Sequence, residues 1–264
     1  MPEREESPMK TGIEKAQLVR APKAAVVGIG AGGNMLRFYN LNKMTEWRYR
    51  SLYTKEPETI DWLNRIQPGE VLWDVGANVG IYTIYAAARR GARVLAFEPL
   101  ASNYHVLNMN IELNGLAPRA RAFCIAFAEH SACDLLNVLS SKAGMAQCSF
   151  EEAVNDAGEH FTPKFQQGMI GYSIDEFVDR FNPEFPQHMK VDVDGIEERI
   201  IAGAPRTLRD SRLKTLSIEL NAKRSDVMER VRLAVEQAGF TLLRQDRTSK
   251  LYPNSPIRNF QFSR

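Results

Sequence analysis

Residues 71–87, VLWDVGANVGIYTIYAA, decide the fold. The run VLWDV (71–75) has the length and apolar content of a buried strand. Asp74-Val75-Gly76-Ala77-Asn78-Val79-Gly80 then opens a helix, with Ile81, Ile84, Tyr85 and Ala88 at helical spacing. Glycines at such a turn let the backbone bend sharply and approach a ligand. The helix that follows presents free N–H groups at the positive end of its dipole.

Outward from this unit the alternation continues. RVLAF (93–97) reads as a second strand, 102–113 as a helix capped by Ser102 and closed by Asn114-Gly115, and ARAFCIAF (120–127) as a third strand. Strand and helix in strict alternation predict a parallel, doubly wound sheet. Residues 128–187 break the rhythm with a polar stretch holding Gly144, Gly158 and Gly168. A plain loop of that length is unusual, so structure of its own or a functional role is expected there. Ser173 and Glu176, at capping-box spacing, start a helix SIDEFVDRF near its end. HMKVDV (188–193), a helix over about 196–203, KTLSIEL (214–220) and a helix over 225–238 resume the pattern. FTLLRQ (240–245) and IRNFQF (257–262) close it as an antiparallel pair. Before the decisive unit, apolar runs at 24–30 and 35–41 flank Ala31-Gly32-Gly33-Asn34 and predict a hairpin. Residues 56–66 predict a helix with Pro57 in its first turn and Ile60, Leu63 and Ile66 on one face.

Two glycine motifs compete. Gly28-x-Gly30-x-x-Gly33 fits the dinucleotide fingerprint to the letter, but MLRFYNL follows it where an amphipathic helix should stand. In Gly76-x-x-x-Gly80 the context is right, and Asn78 replaces the glycine that admits a pyrophosphate, which favours a nucleoside without phosphates. Asp74 lies at a strand's carboxyl edge, and Glu98, first after the second strand, can accept both ribose hydroxyls. In enzymes that use S-adenosylmethionine an acid at the place of Asp74 helps hold the amino-acid ammonium.

Composition removes other classes. Lys and Arg total 34 against 32 Asp and Glu, a net charge of +2, so no phosphate-tracking surface is indicated. The basic, aromatic stretch WRYRSLYTK (47–55) is expected to be a solvated lid. Cys124, Cys133 and Cys148 lack ligand spacing and read as reduced thiols of a cytoplasmic protein. Four scattered histidines give no support to a metal site; a cation on Asp192, Asp194 and a water stays open. No apolar run reaches the ~18 residues of a membrane span, and MPEREESPMK lacks the apolar core of a signal peptide, so a frayed start is expected.

VLWDVGANVGIYTIYAA, FEP (97–99), KVDVDGIEERIIAGA (190–204) and the lead-in KEPET (55–59) together resemble the FkbM family of S-adenosylmethionine-dependent methyltransferases. The resemblance runs from about residue 50 to the C-terminus and is weak over 128–172; Asp194 departs from the Glu of many members. It implies a class I methyltransferase: a Rossmann-like, doubly wound seven-stranded sheet at 68–264, inserted at about 128–187 before the fourth strand. Residues 1–67 then form an N-terminal extension of disordered start, hairpin and lead-in helix. It also implies S-adenosyl-L-methionine as cofactor and a hydroxyl of a sugar, glycan or small metabolite as acceptor. Glu56 is placed near the cofactor's amino acid by the same likeness, and the expected cofactor contacts are Glu56, Asp74, Gly76, Asn78, Gly80, Thr83, Glu98, Pro99 and Asn103.

An alcohol acceptor must lose a proton, so a base within hydrogen-bond reach is needed. Asp192, Asp194 and Glu197 lie after the fourth strand and Glu219 in the fifth. Asp192 shares a strand face with Lys190, as base or as ion-pair partner; it is the first candidate, with Lys190 and Glu219 completing the catalytic set. Glu197 is expected to support its helix through the dipole. A nucleic-acid methyltransferase is the alternative, but Asp192-Val193-Asp194-Gly195 stands where base-modifying enzymes carry Asn/Asp-Pro-Pro-aromatic. A non-catalytic cofactor-binding partner of a biosynthetic enzyme is the third reading. Neither a nucleic-acid partner nor a membrane span is expected.

Overall fold

The computed structural model describes residues 25–30, 35–245 and 254–264. The hairpin pairs β1 (Ala25–Ile29) antiparallel with β2 (Leu36–Asn40). Its turn at 31–34 and the expected frayed start fall outside the described residues. Next come α1 (Lys43–Arg50), α2 (Pro57–Leu63), β3 (Val71–Val75) and α3 (Ile81–Tyr85), which runs on into a π-helical turn at Ala86–Arg90. β4 (Arg93–Phe97), α4 (Ala101–Leu113) and β5 (Ala120–Phe123) follow. The intervening region holds β6 (Ala126–Phe127), β7 (Ala132–Val138), β8 (Cys148–Phe150), β9 (Phe165–Tyr172) and α5 (Ile174–Phe181). The chain ends with β10 (His188–Val191), α6 (Glu197–Ala202), α7 (Pro205–Arg209), β11 (Thr215–Asn221), α8 (Ser225–Gln237), β12 (Thr241–Gln245) and β13 (Ile257–Ser263).

The main sheet has seven strands in the order β12-β13-β11-β10-β3-β4-β5. It is parallel from β11 to β5, and β13 runs antiparallel to both β11 and β12. All five residues of β3 are buried, as a central strand covered on both faces requires. Trp73, Val75 and Phe97 pack on one face with Phe127 and Phe177; Leu72, Val94 and Ala96 pack on the other with Ile84 and Leu107. Each fully buried side chain of this kind contributes about 1.5–3 kcal/mol. The chain winds from β3 toward β5 on one side and from β10 toward β12 on the other. The β3–β10 boundary is therefore the point where strand order reverses, and α/β sheets bind ligands at the carboxyl ends of such strands.

Four details differ from expectation. The strand foreseen at 120–127 breaks at Cys124–Ile125: β5 stays in the main sheet, and β6 joins a second, four-stranded sheet ordered β6-β9-β7-β8. That sheet and α5 are the structure inside the 128–187 stretch. Ser102 does not cap α4. The helix starts one residue earlier, Glu98 Oε1 accepts the Leu100 N–H at 2.9 Å, and Ser102 Oγ has no hydrogen-bond partner. The 47–55 stretch is not a solvated lid: Tyr49 and Leu52 are fully buried, and Tyr49 stacks on Phe38 at 4.5 Å. Its helix is set by a capping box, Asn42 Oδ1 accepting from Met44 and Thr45 while Thr45 Oγ1 accepts from Asn42 N. Finally, α7 starts at Pro205 in its first turn, a signal that passed unread. Among the described residues no helix is long and apolar enough to cross a membrane.

Candidate active site

The turn after β3 needs its glycines for packing. Gly76 has φ +83°, and a β-carbon there would fall 1.9 Å from the Asp192 carbonyl oxygen. The constraint comes from the loop after β10 passing close by, not from the space a ligand would take. Gly80, at φ +85°, precedes α3, and its missing β-carbon makes room for the Leu107 side chain.

A cleft of about 130 Å³ opens at the carboxyl ends of β3, β4, β10 and β11. Of the expected cofactor residues Gly76, Asn78, Glu98, Pro99 and Asn103 line it, and so do Asp192 and Glu219. Glu56, Asp74, Thr83, Gly80 and Lys190 do not line it, and all five are buried. Ile125, Ala126 and Phe127, where the chain changes sheets, supply an apolar wall.

Glu98 Oε2 accepts the Asn78 N–H at 2.8 Å, and Oε1 accepts from Leu100 N and, at 3.4 Å, Asn103 Nδ2. Burial outweighs these donors and raises the Glu98 pKa to about 7. Asp74 Oδ2 accepts the Thr83 hydroxyl at 2.6 Å, while Asp74 Oδ1, also buried, has no hydrogen-bond partner. Burial raises its pKa, against the pull of Lys190 and Thr83. An orphaned, buried carboxylate oxygen is a place for a further donor.

The β10–β11 side of the cleft is a knot of charge. Lys190, 1% exposed, sits with its ammonium on Asp192. Burial opposes ionisation of Asp192, but the ammoniums of Lys190 and Lys55 prevail and hold its carboxyl well below the usual range. Lys55 pairs with Glu56, which also accepts the Tyr82 hydroxyl at 2.9 Å; the Tyr82 ring lies under the Lys190 ammonium at 5.0 Å. Glu219 goes the other way: burial and then the Asp192 charge push it well above the usual carboxylate range. Oxygens of Glu56, Asp192 and Glu219 all lie within 4.8 Å of one another, close enough to share a cation, and two lysine ammoniums supply positive charge there. Asp194 does not join them. It accepts the N–H groups of Gln147 and Cys148 at 2.7 and 3.1 Å, and burial raises its pKa to about 6. Glu197, read as a dipole partner, is buried with a pKa raised to about 8 and accepts the Gly195 N–H at 3.3 Å.

The β7–β8 connection, residues 139–147, crosses this cleft as a strap. Asn78 Nδ2 and Asn103 Nδ2 donate to the Met145 carbonyl at 2.9 and 3.0 Å, and the Gly144 N–H donates to Asn103 Oδ1 at 2.7 Å. Asn42 Nδ2 and Arg48 Nε donate to the carbonyls of Ala143 and Gly144. Met145 and Ala146 form one wall of the cleft. Its volume is below the roughly 300–1,000 Å³ of ligand pockets.

Sequence reasoning missed Lys55, Tyr82, Arg48 and the strap. Lys55 stood inside KEPET, and only its neighbour was singled out. Tyr82 lies on the helix that the glycine turn opens, one position from the apolar face that drew attention. The strap comes from a region without periodicity, so no pattern pointed to it.

Similarity to known proteins agrees with this geometry. The Methyltransferase FkbM domain matches residues 74–242. The chain is 37% identical over 98 residues to the AMB antimetabolite synthetase AmbE of Pseudomonas aeruginosa, 37% of this chain but only 4% of that protein's length. It is 27% identical over 240 residues to the hexuronic acid methyltransferase AglP of Haloferax volcanii, covering 90% of this chain and 89% of AglP. In fold it is similar to the METTL16 MTase domain, with a TM-score of 0.51 at 11% identity over 89% of this chain and 85% of that one. The buried acids beside the glycine turn, one with an orphaned oxygen, fit a cofactor bearing an ammonium and ribose hydroxyls. The chain belongs to the FkbM family, and it is a methyltransferase that uses S-adenosylmethionine.

Proposed function

We propose that the protein transfers a methyl group to a hydroxyl of a sugar, glycan or similarly hydroxylated small metabolite. The observation that carries this reading is the placement of Asp192 and Glu219 side by side on the β10–β11 wall of the cleft that Glu98 and the glycine turn also line. The similarity to a hexuronic acid methyltransferase supports a sugar acceptor.

The cofactor supplies an electrophilic methyl group; the protein positions the acceptor and takes its proton. Asp74 and Glu56 are proposed to hold the amino-acid end, with Thr83 fixing Asp74, and Glu98 to accept the ribose hydroxyls. Asp192 was the first candidate for the base, but its ion pair with Lys190 makes it a weak one. Glu219, with its raised affinity for protons, is the better base, and Asp192 orients the hydroxyl between them.

The test is incubation with methyl-labelled S-adenosylmethionine and a panel of neutral sugars, uronic-acid sugars and hydroxylated metabolites, read by mass spectrometry. Label is expected on an ether oxygen. Glu219→Gln is expected to keep S-adenosylhomocysteine affinity and lose about 10²–10⁴ in rate, the worth of general-base catalysis. Label found only on nitrogen or carbon acceptors would remove the hydroxyl reading.

A further inference from the structure

The acceptor side holds more acids than its lysines can balance. Glu219 on β11, Asp192 after β10 and Glu56 before α2 have oxygens within 4.8 Å of one another. The cations facing them are Lys190 of β10, on Asp192, and Lys55 of the lead-in to α2, on Glu56. α3 contributes only the neutral Tyr82, β3 contributes Asp74 behind Lys190, and β13 sets Asn259 opposite Glu219. Three carboxylates thus meet two ammoniums; Arg48 and Asp194, which also line the cleft, add one basic and one acidic group, and Asp74 is a further acid nearby. The Glu219 and Asp192 carboxyls are thus near neighbours on the wall of one cleft. Two negative charges so close in a buried site oppose each other's ionisation, which favours a proton on one of them.

We propose that Glu219 and Asp192 share one proton in the cofactor-free protein and lose it when the positively charged cofactor enters, so that the base exists only in the loaded enzyme. The inference rests on the hydroxyl-transfer reading and deepens it. Lys55, Asp192 and Glu219 face the same small cleft as Gly76, Asn78 and Glu98. Positive charge brought into that cleft favours ionisation of the surplus acid, strongly so where water is scarce. Burial and the Asp192 charge both favour the protonated form of Glu219 while no such charge is present.

The step then balances. The acceptor oxygen forms its bond to the methyl carbon as the carbon–sulfur bond breaks, and the electron pair of that bond stays on sulfur. The hydroxyl proton passes to the Glu219 carboxylate. A positive charge is lost at sulfur as a negative charge is lost at Glu219, so the cleft keeps one net charge through the transfer. Glu219 is left protonated, the state of the free protein.

Calorimetry tests this without an acceptor. Binding of S-adenosylmethionine and of S-adenosylhomocysteine, which lacks the sulfonium charge, is measured at pH 7 in two buffers of different ionisation enthalpy. The buffer dependence gives the protons released. Release common to both ligands, such as any from Glu98, cancels in the comparison. S-adenosylmethionine is expected to release more, by up to about one proton. That difference is expected to vanish in Glu219→Gln. Should Glu219→Gln fail to fold, Asp192→Asn serves: Glu219 then loses its negative neighbour, and the difference is expected to shrink. Equal release from both ligands, or an undiminished difference in the variants, overturns the proposal. The acceptor reading is judged separately by the labelled-methyl experiment, so either can fail alone.

Discussion

The Glu98 carboxyl accepts three N–H groups of its own chain, yet burial keeps its pKa near 7. Glu98→Ala is expected to weaken S-adenosylhomocysteine binding by about 1–3 kcal/mol, read by calorimetry on folded protein. Unchanged affinity would take Glu98 out of the site. At Gly76 the expected loss has another cause. A methyl group there meets the Asp192 backbone, and φ is +83°, so Gly76→Ala should cost at least about 2 kcal/mol and displace the Asp192 loop. Gly30, at φ +114° after β1, does not line the cleft, so Gly30→Ala should lower stability and spare cofactor affinity. Glu197 makes a prediction about pH. Its folded pKa of about 8 lies above the ordinary value of 4.5, so the folded state binds the proton more tightly than the unfolded chain. Its contribution is full below about pH 4.5 and is lost as pH rises toward 8. Melting temperatures between pH 5 and 8 should fall less in Glu197→Gln than in the unmodified protein, and parallel curves would count against it.

Among the elements, the strap at 139–147 ties together parts that are distant in sequence. It joins α1 through Asn42 and Arg48, the glycine turn through Asn78, α4 through Asn103 and the β10 loop through Asp194. Asn103→Ala removes two of these ties, so amide hydrogen exchange over 143–148 should accelerate by several-fold in the free protein. S-adenosylhomocysteine should slow it in the unmodified protein. Exchange indifferent to both would show that the strap is held by other contacts. The elements themselves differ in how far they could be read. β3 and β4 are near-continuous apolar runs, and burial on both faces leaves that trace. The break between β5 and β6 could not be read, because ARAFCIAF is apolar but for Arg121 and apolar content is silent on which sheet a residue joins. Ser102 shows the same limit on a smaller scale: a residue of capping type was present, but the helix starts at Ala101 without a side-chain cap.

For the whole molecule, the parallel, doubly wound sheet followed from alternation, its seven strands were implied by the family resemblance, and the strand order came only from the structure. The glycine-turn wall of the cleft was legible because Gly76, Asn78 and Glu98 sit at fixed offsets from strands β3 and β4. The opposite wall was not: Lys55 and Glu219 are separated by most of the chain, and only folding sets them around Asp192. S-adenosylhomocysteine at about a hundred times its dissociation constant should stabilise the fold by about 2.7 kcal/mol. That corresponds to roughly 5–10 °C in melting temperature, while NAD should give no shift. A comparable shift with NAD would contradict the phosphate-free reading of Gly76-x-x-x-Gly80. The strap also bears on tempo. A cleft of about 130 Å³ walled in part by Met145 and Ala146 is smaller than a nucleoside site, so cofactor exchange is expected to displace the strap. Each catalytic cycle is then expected to move it, as spent cofactor leaves and fresh cofactor enters. The first turnover of preloaded enzyme should therefore outrun all later ones, giving a burst of methylated product followed by a slower steady rate set by the residence time of S-adenosylhomocysteine.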